Sequence, residues 1–137
     1  EADGRGELLL HGGVTAGDGQ REPLVWRSSD GTTWARLRDD AWGGPGGQVV
    51  GDAVALDQGW LLVGSDRPEG EDSDVALWHV ADDETVTRVP LTGDAVGPAD
   101  EEAVDVLVDG DSVVIVGMVE GSAAVWTVSL GTVLSEA

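Results

Sequence analysis

The sequence predicts an all-β domain of three four-stranded antiparallel units, the first of which lacks its leading strand. Three observations support this. The aromatic residues are six Trp with no Phe or Tyr, 21 glycines are spread over 137 residues, and short apolar runs recur about every 50 residues. β-Branched residues and Trp favour strands, and frequent Gly favours tight turns. No capped stretch with the 3.6-residue periodicity of a helix is found.

Two landmarks recur in the same order along the chain. One is an apolar run that ends in glycine, and intervals of 52 and 53 residues separate Gly12, Gly64 and Gly117. The other is an apolar run that ends in tryptophan, and intervals of 52 and 48 residues separate Trp26, Trp78 and Trp126. A repeat of this length made of short strands predicts the blades of a β-propeller.

The remaining strands are placed around these landmarks. A leading strand precedes the glycine run in the second and third repeats, at Val49 to Asp57 and Ala103 to Asp109. A fourth strand follows each tryptophan, at Thr33 to Arg38, Thr85 to Leu91 and Thr132 to Ser135. Apolar runs joined by short Gly-containing turns favour hairpins. The predicted blades span about residues 6–40, 47–93 and 102–137.

The first repeat has no leading strand, because only residues 1–6 precede its glycine run. Three blades cannot close a ring, since propellers have about four to eight. An open edge also leaves unpaired backbone groups. We therefore expect half of a six- or seven-bladed propeller. A second polypeptide, a second copy of the chain or flanking sequence of the same protein would complete the ring by pairing at Glu7 to Gly12.

One motif adds a family resemblance. The pattern S-x-D-G-x-T-W runs from Ser28 to Trp34. It predicts a turn in which Asp30 accepts backbone N–H bonds, Gly31 supplies a positive φ, and Thr33 resumes a strand anchored by the indole. The segment resembles the Asp-box, or BNR repeat, of sialidase-like propellers, particularly the version in secreted actinobacterial proteins. Degenerate copies follow the tryptophans of the other two repeats.

The resemblance implies a structural role for the box, on a rim opposite the face where propellers bind ligands. A sialidase-like hydrolase would require a tyrosine nucleophile and an arginine triad, and the chain contains no Tyr. No catalytic residue is therefore predicted. The preferred function is a non-catalytic extracellular module that binds a protein or glycan or assembles into a larger particle. The alternative is a fragment of a sialidase-like glycosidase or lyase whose catalytic residues lie in the missing half.

The ligand-binding face is expected where loops between second and third strands meet loops between blades. Its candidate residues are Asp18, Arg21, Glu22, Trp42, Arg67, Glu69 and Asp94. Trp42 lies in a Gly-rich loop outside the repeat, where an exposed indole could stack on a sugar or anchor a protein contact. The other interpretation is that Trp42 packs at the junction between two blades.

Charge and hydropathy restrict the partners. The formal net charge is −20, from 27 acids against seven arginines, and it repels nucleic acid and anionic membranes. The longest apolar stretch, Val113 to Val119, is much shorter than the roughly 18 residues of a membrane helix. We predict neither nucleic-acid binding nor membrane insertion. Because the chain opens on Glu1 rather than Met, we expect a processed, secreted or extracytoplasmic protein.

No cofactor is predicted. The chain has no cysteine, which excludes a thiolate metal site, and its two histidines, His11 and His79, form no zinc motif. Acidic runs at Glu69 to Asp74 and Asp109 to Asp111 leave calcium open, because Ca²⁺ takes oxygen ligands. Neither run fits the EF-hand loop pattern, so solvated turns are the simpler interpretation.

Overall fold

The fold is that of a computed structural model, which describes residues 1–4, 6–15, 17, 19–38, 40–42, 46–68 and 72–136. These residues form three antiparallel sheets in chain order. The first sheet contains β1 (Leu8–Thr15), β2 (Arg21–Ser28) and β3 (Ala35–Arg36). The second contains β4 (Gly47–Ala55), β5 (Trp60–Arg67), β6 (Asp74–Val80) and β7 (Val86–Arg88). The third contains β8 (Glu101–Asp109), β9 (Ser112–Val119) and β10 (Ser122–Ser129), followed by helix α1 (Leu130–Glu136). Short 3₁₀ segments lie at Asp40–Trp42 and Gly93–Val96. The predicted all-β antiparallel class is confirmed.

The two sequence landmarks pair in the same register in every sheet. The glycine of each sheet lies opposite the residue two positions before the tryptophan, in the pairs Gly12–Leu24, Gly64–Ala76 and Gly117–Ala124. The tryptophans in turn lie opposite Leu10, Leu62 and Ile115. The repeat read from the sequence is therefore a repeat in three dimensions, and residues at equivalent positions can be compared directly.

The second sheet is buried on both faces. On one face, Leu62 lies in an apolar cluster with Leu9 and Val25 of the first sheet. On the other face, Leu61 lies in a cluster with Ile115 of the third sheet. A strand that is covered on both sides needs apolar residues without alternation, which explains the continuous apolar runs of β5 and β6.

The leading position of the first sheet is partly filled by residues 1–3. Ala2 forms an isolated antiparallel bridge with Leu8, and Glu1 and Leu9 exchange two backbone hydrogen bonds of 2.8 Å. The edge predicted to be open from Glu7 to Gly12 is thus covered up to Leu9. Among the described residues, nothing pairs with this edge of β1 from Leu10 onward.

The predicted fourth strand of the third repeat, Thr132 to Ser135, is wrong, because these residues lie in α1. The helix begins beside polar side chains that accept hydrogen bonds from the N–H groups of its first turn. The Ser129 hydroxyl accepts from the Thr132 N–H at 3.4 Å, and Asp111 accepts from the Gly131 N–H at 3.0 Å. Such bonds satisfy the free N–H groups of a first helical turn. Val133 is buried in the core. Packing and capping together therefore favour a helix where the repeat predicts a strand.

Candidate functional site

Two ends of the sheets carry different structures. At one end, which we name the cleft end, β1 and β5 finish and β2, β4 and β8 begin. At the opposite end, the turn end, the chain turns after β2 and β6. The Asp-box-like segment lies at the turn end. The loops that the sequence predicts to bind a ligand lie at the cleft end.

The cleft end has an open cavity of about 350 Å³ between the sheets. It brings together two of the predicted binding residues, Arg21 and Arg67, with Gln20, Ser65 and Glu102 nearby. Arg21 is exposed, and among the described residues no acid lies within salt-bridge distance of it. An arginine guanidinium can donate paired hydrogen bonds to planar acceptor groups of a ligand.

The other candidates are distributed differently. Glu22 is exposed next to Arg21 but does not line the cavity. The backbone of Asp94 lies in the 3₁₀ segment between the second and third sheets. Asp18 and Glu69 lie outside the described residues.

Arg67 is held by an acid that the sequence did not single out. Its Nη2 lies 3.1 Å from Oδ1 of Asp100. The same oxygen accepts from the Ser73 N–H at 3.0 Å. The Ser73 backbone bond, followed by the charge of Arg67, lowers the pKa of Asp100 below its ordinary value. A fixed carboxylate thus orients one of the two cleft arginines.

A buried carboxyl group, Glu101, contacts a partly exposed one, Asp74, beside this network. Glu101 is 2% exposed and hydrogen-bonds the side chain of Asp74. Among the described residues, none forms a hydrogen bond with its Oε2. Burial, and then the charge of Asp74, raise the pKa of Glu101. Two carboxyl groups in contact favour sharing a proton. When both are charged, their repulsion destabilises the packing between the second and third sheets.

The turn after β2 has the geometry that the Asp-box pattern predicts. Oδ1 of Asp30 accepts from the N–H groups of Thr32 at 2.8 Å and Thr33 at 2.7 Å. These bonds lower the pKa of Asp30 to about 2. Gly31 takes a φ of +75°, and the Ser28 hydroxyl accepts from its N–H at 2.8 Å. The side chains of Asp30 and Ser28 therefore hold the backbone of their own turn.

Trp34 departs from the predicted packing anchor, because 36% of it is exposed. The degenerate second turn also differs from the sequence interpretation. There the carboxylate of Asp83, rather than of Asp82, accepts from the Thr85 N–H at 3.0 Å. Glu84 takes the positive φ of 73° in place of a glycine.

A polar junction at the turn end joins the first and second sheets. Nη2 of Arg27 lies 2.9 Å from both carboxylate oxygens of Glu7. The same carboxylate accepts from the buried indole N–H of Trp60 at 2.9 Å. Arg27 also donates to the backbone oxygen of Asp82 at 3.3 Å. Sequence reasoning missed this junction, because its members are 20 to 55 positions apart.

Trp42 belongs to the core and not to the ligand face. It is 7% exposed, its indole N–H donates to the Leu37 oxygen at 3.0 Å, and its ring lies 5.7 Å from that of Trp78. An indole in this position cannot stack on a sugar. Its candidate role in ligand binding is therefore corrected, and the interpretation that it packs at a junction agrees with these contacts.

Both outer sheets present apolar residues to solvent. On the first sheet, Leu10 is 56% exposed and lies opposite Trp26. On the third sheet, Val125 is 64% exposed and lies opposite Val116, while the exposed Leu107 lies opposite Val114. Apolar patches that join several strands are typical of interaction surfaces.

Comparisons with family models, with curated proteins and with solved structures gave no match to this chain. Within the described ranges, no group of three or more His, Asp or Glu side chains is arranged to hold a metal ion. None of the helices in the described part of the chain has the length and apolar content needed to cross a membrane. The Asp-box resemblance remains a prediction based on Ser28 to Trp34.

Proposed function

We propose that this chain is a non-catalytic, extracytoplasmic assembly module that forms half of a six-bladed β-propeller, with a second copy as the other half. In this proposal each sheet is a blade, and the exposed face of the third sheet of one copy packs on the exposed face of the first sheet of the other. The observation that carries the proposal is that these two faces correspond to the two sides of one repeated interface.

The outer face of the first sheet is one side of that interface. Leu62 and Trp78 of the second sheet pack toward the first sheet. Leu10 and Trp26 hold the equivalent positions in the first sheet, with the same cross-strand pairing. The first sheet therefore presents outward the kind of face that the second sheet buries.

The outer face of the third sheet is the other side. Leu61 and Leu77 of the second sheet pack toward the third sheet. Val114 and Val125 hold the equivalent positions in the third sheet, counted from the shared glycine and tryptophan. A head-to-tail contact between two copies would thus reproduce the packing within the chain, and such contacts close into rings when the rotation allows it.

The ligand site of the proposed module is the cavity at the cleft end. Arg21 and Arg67 supply donors there, and the sequence predicts a protein or glycan ligand at this end. Arginine forms paired hydrogen bonds with carboxylates and other planar acceptors. The polar groups at the turn end, in contrast, hold the turn at Asp30 and join the first and second sheets.

The native mass tests the assembly. Light scattering should give twice the chain mass of 14.1 kDa, and added salt should strengthen the dimer by screening the repulsion between two chains of charge −20. Val125→Asp should yield monomers, because it places a charge in an apolar contact. Leu134→Asp changes an exposed leucine on α1 and is the matched control. A monomer at all concentrations and salt levels would overturn the proposal.

Cross-linking tests the head-to-tail orientation. The chain has no cysteine, so a single introduced thiol reports on one position. A mixture of Leu10→Cys and Val125→Cys chains should form a disulfide-linked pair of unlike chains under mild oxidation. If each variant instead cross-links only to itself, the interface joins like faces and the ring is wrong.

A further inference from the structure

The β-bulges of the second and third sheets lie against each other. In β4 the register against β5 shifts between Val50 and Asp52, and in β8 the register against β9 shifts at the equivalent place, between Ala103 and Asp105. A Cβ added to Gly51, the extra residue of the first bulge, would lie 2.6 Å from the backbone oxygen of Ala103. A bulge bends its strand and changes the direction of the side chains beside it. The two leading strands are therefore in close contact at their bulges.

Two carboxyl groups meet at this contact. Oδ2 of Asp52 accepts a hydrogen bond from the Val106 N–H at 3.1 Å, and Oδ1 of Asp105 accepts from the same N–H at 2.8 Å. The two carboxyl groups also form a hydrogen bond with each other. Because an ionised carboxylate has no proton to donate, this last bond requires one proton on the pair.

A second carboxyl pair crosses the same junction at the cleft end. Glu101 of β8 hydrogen-bonds the side chain of Asp74, the first residue of β6. The Glu101 N–H donates to the Ser73 oxygen at 2.8 Å. In the second sheet, the position equivalent to Glu101 holds Gln48, whose amide donates to Asp66 at 2.9 Å. The repeat thus accommodates an uncharged amide where the third sheet has an acid.

The surroundings of the first pair favour its protonated form. Asp52 is the charged group that faces Asp105 from the second sheet, and the residues opposite these two in their own sheets are Val63 and Val116. The hydrogen bond with Asp52, followed by burial, raises the pKa of Asp105 above its ordinary 3.8, although the Val106 N–H acts in the other direction. Asp105 is exposed, so protons from solvent reach the pair.

The surroundings of the second pair act in the same direction. Burial, followed by the charge of Asp74, raises the pKa of Glu101 above its ordinary 4.5, and the Gly97 N–H opposes this shift. The neighbouring carboxylate of Asp100 lies 3.1 Å from the guanidinium of Arg67. The charge of that arginine is therefore already matched by another acid.

We propose that the contact between the second and third sheets is a pH switch, in which the Asp52–Asp105 and Glu101–Asp74 pairs each bind one proton in acid and release it toward neutral pH. One carboxylate oxygen of a pair takes the proton from solvent and donates it in a hydrogen bond to the other carboxylate. Release of the proton breaks that bond and leaves two negative charges in contact across the junction, where they repel each other. The switch lies within one chain and does not depend on a second copy.

The direction of the switch follows from the raised pKa values of Glu101 and Asp105. A group whose pKa is raised in the folded state contributes stability that is fully present below its ordinary pKa, 4.5 for Glu101 and 3.8 for Asp105. That contribution is lost as the pH rises through the raised pKa. The third sheet should therefore be held more firmly on the second sheet in acid than at pH 7.

Amide exchange at the junction tests the switch. The N–H groups of Val106 and Glu101 donate across it, while that of Leu37 donates to Val25 within the first sheet and is the reference. Protection factors correct for the intrinsic pH dependence of exchange. Between pH 7 and about pH 4.5 they should rise at least about threefold more at Val106 and Glu101 than at Leu37. An equal change at all three positions would overturn the inference.

Two double variants assign the effect to the carboxyl pairs. Asp105→Asn with Glu101→Gln replaces both acids of β8 by amides that form hydrogen bonds without titrating, so the extra protection of Val106 in acid should be lost. Glu102→Gln with Asp109→Asn removes the same number of charges from exposed positions of β8 and should behave like the wild type. If the two double variants respond alike, the response belongs to the net charge and the inference is wrong.

A titration of the wild type makes the test independent of whether the variants fold. The Val106 N–H bonds both carboxyl groups of the first pair, so its NMR chemical shift should follow their protonation. The midpoint should lie above 3.8, because the pKa of Asp105 is raised by Asp52. A midpoint at or below 3.8 would overturn the inference.

Discussion

The first and second sheets share their landmarks and their register, but only the second is complete at its leading edge. Gly64 faces β4 beside the bulge between Val50 and Asp52, which leaves no room for a side chain, whereas no described residue lies within 4 Å of a Cβ at Gly12. Both faces of the second sheet are covered, while Leu10 on the first sheet is more than half exposed. The difference indicates that a residue can recur in the repeat where the described residues do not make the corresponding contact.

Replacing each glycine by alanine tests this comparison most strongly. Gly64→Ala should destabilise the chain by about 2 to 3 kcal/mol, because the methyl group would overlap a backbone oxygen that cannot move without breaking the bulge. Gly12→Ala should change the free energy of unfolding by less than about 0.5 kcal/mol. Urea unfolding of the two variants measures both values.

Gly117→Ala is the second test of the same relation. Its Cβ would overlap the backbone oxygen of Glu102, so its loss should resemble that of Gly64→Ala. A Gly12→Ala loss as large as the other two would mean that β1 already has a neighbour on its open edge. In that case the contrast between the first two sheets would not hold.

Much of the sheet framework is predictable from the sequence. Strand order and register follow from the spacing of the glycine and tryptophan runs, because a register error of one residue would turn every apolar side chain of a strand outward. The turn at Asp30 is also predictable, since its hydrogen bonds connect residues two and three positions apart. The local pattern was therefore sufficient to predict this turn.

Long-range contacts account for part of what sequence reasoning missed. Glu7 meets Trp60 across 53 positions, and no local motif marks either residue. Trp42 was a candidate for the ligand face as well as for a blade junction because it lies in a Gly-rich loop, and only its contact with the ring of Trp78 decides between the two. The fourth strand at Thr132 to Ser135 failed because the repeat was extended past Ser129, where capping groups start a helix.

The two junctions of the second sheet offer the next comparison. The junction with the first sheet pairs opposite charges, Arg27 and Glu7. Glu7→Ala should cost about 2 kcal/mol, because it leaves the buried indole N–H of Trp60 without an acceptor and Arg27 without its carboxylate. Glu7→Gln keeps an acceptor for the indole and should cost less. Thermal and urea unfolding at pH 7 rank the two variants.

The pH dependence of this junction has a definite sign. Burial by itself raises the pKa of Glu7, but hydrogen bonds from Arg27 and Trp60 and the charge of Arg27 outweigh it, so the pKa lies below the ordinary 4.5. Its contribution is therefore present above pH 4.5 and is lost as the pH falls through the lowered pKa. The wild type should lose its advantage over Glu7→Gln in that range. A constant difference down to pH 3 would contradict this.

The junction with the third sheet should respond in the opposite direction. The pKa of Glu101 is raised by burial and by Asp74, so its contribution is fully present below pH 4.5 and is lost as the pH rises through the raised pKa. Glu101→Gln should stabilise the chain at pH 7 by on the order of 1 kcal/mol, because the amide can donate to Asp74 without a charge. At pH 4 the gain should shrink. Glu102→Gln, an exposed neighbour, should show neither effect.

The smallest effect is expected when the two turns of the turn end are compared. Asp30 accepts two backbone N–H bonds, while Asp83 accepts one from Thr85. Because the pKa of Asp30 falls to about 2 from the ordinary 3.8, its contribution is present above pH 3.8 and is lost toward pH 2. Asp30→Ala should lower the melting temperature at pH 7 more than Asp83→Ala. Asp30→Asn keeps an acceptor oxygen, so its melting temperature should lie between those of Asp30→Ala and the wild type. The three variants should converge on the wild type near pH 2. If Asp83→Ala matched Asp30→Ala at pH 7, the number of N–H bonds would not be what distinguishes the complete turn from its degenerate copy.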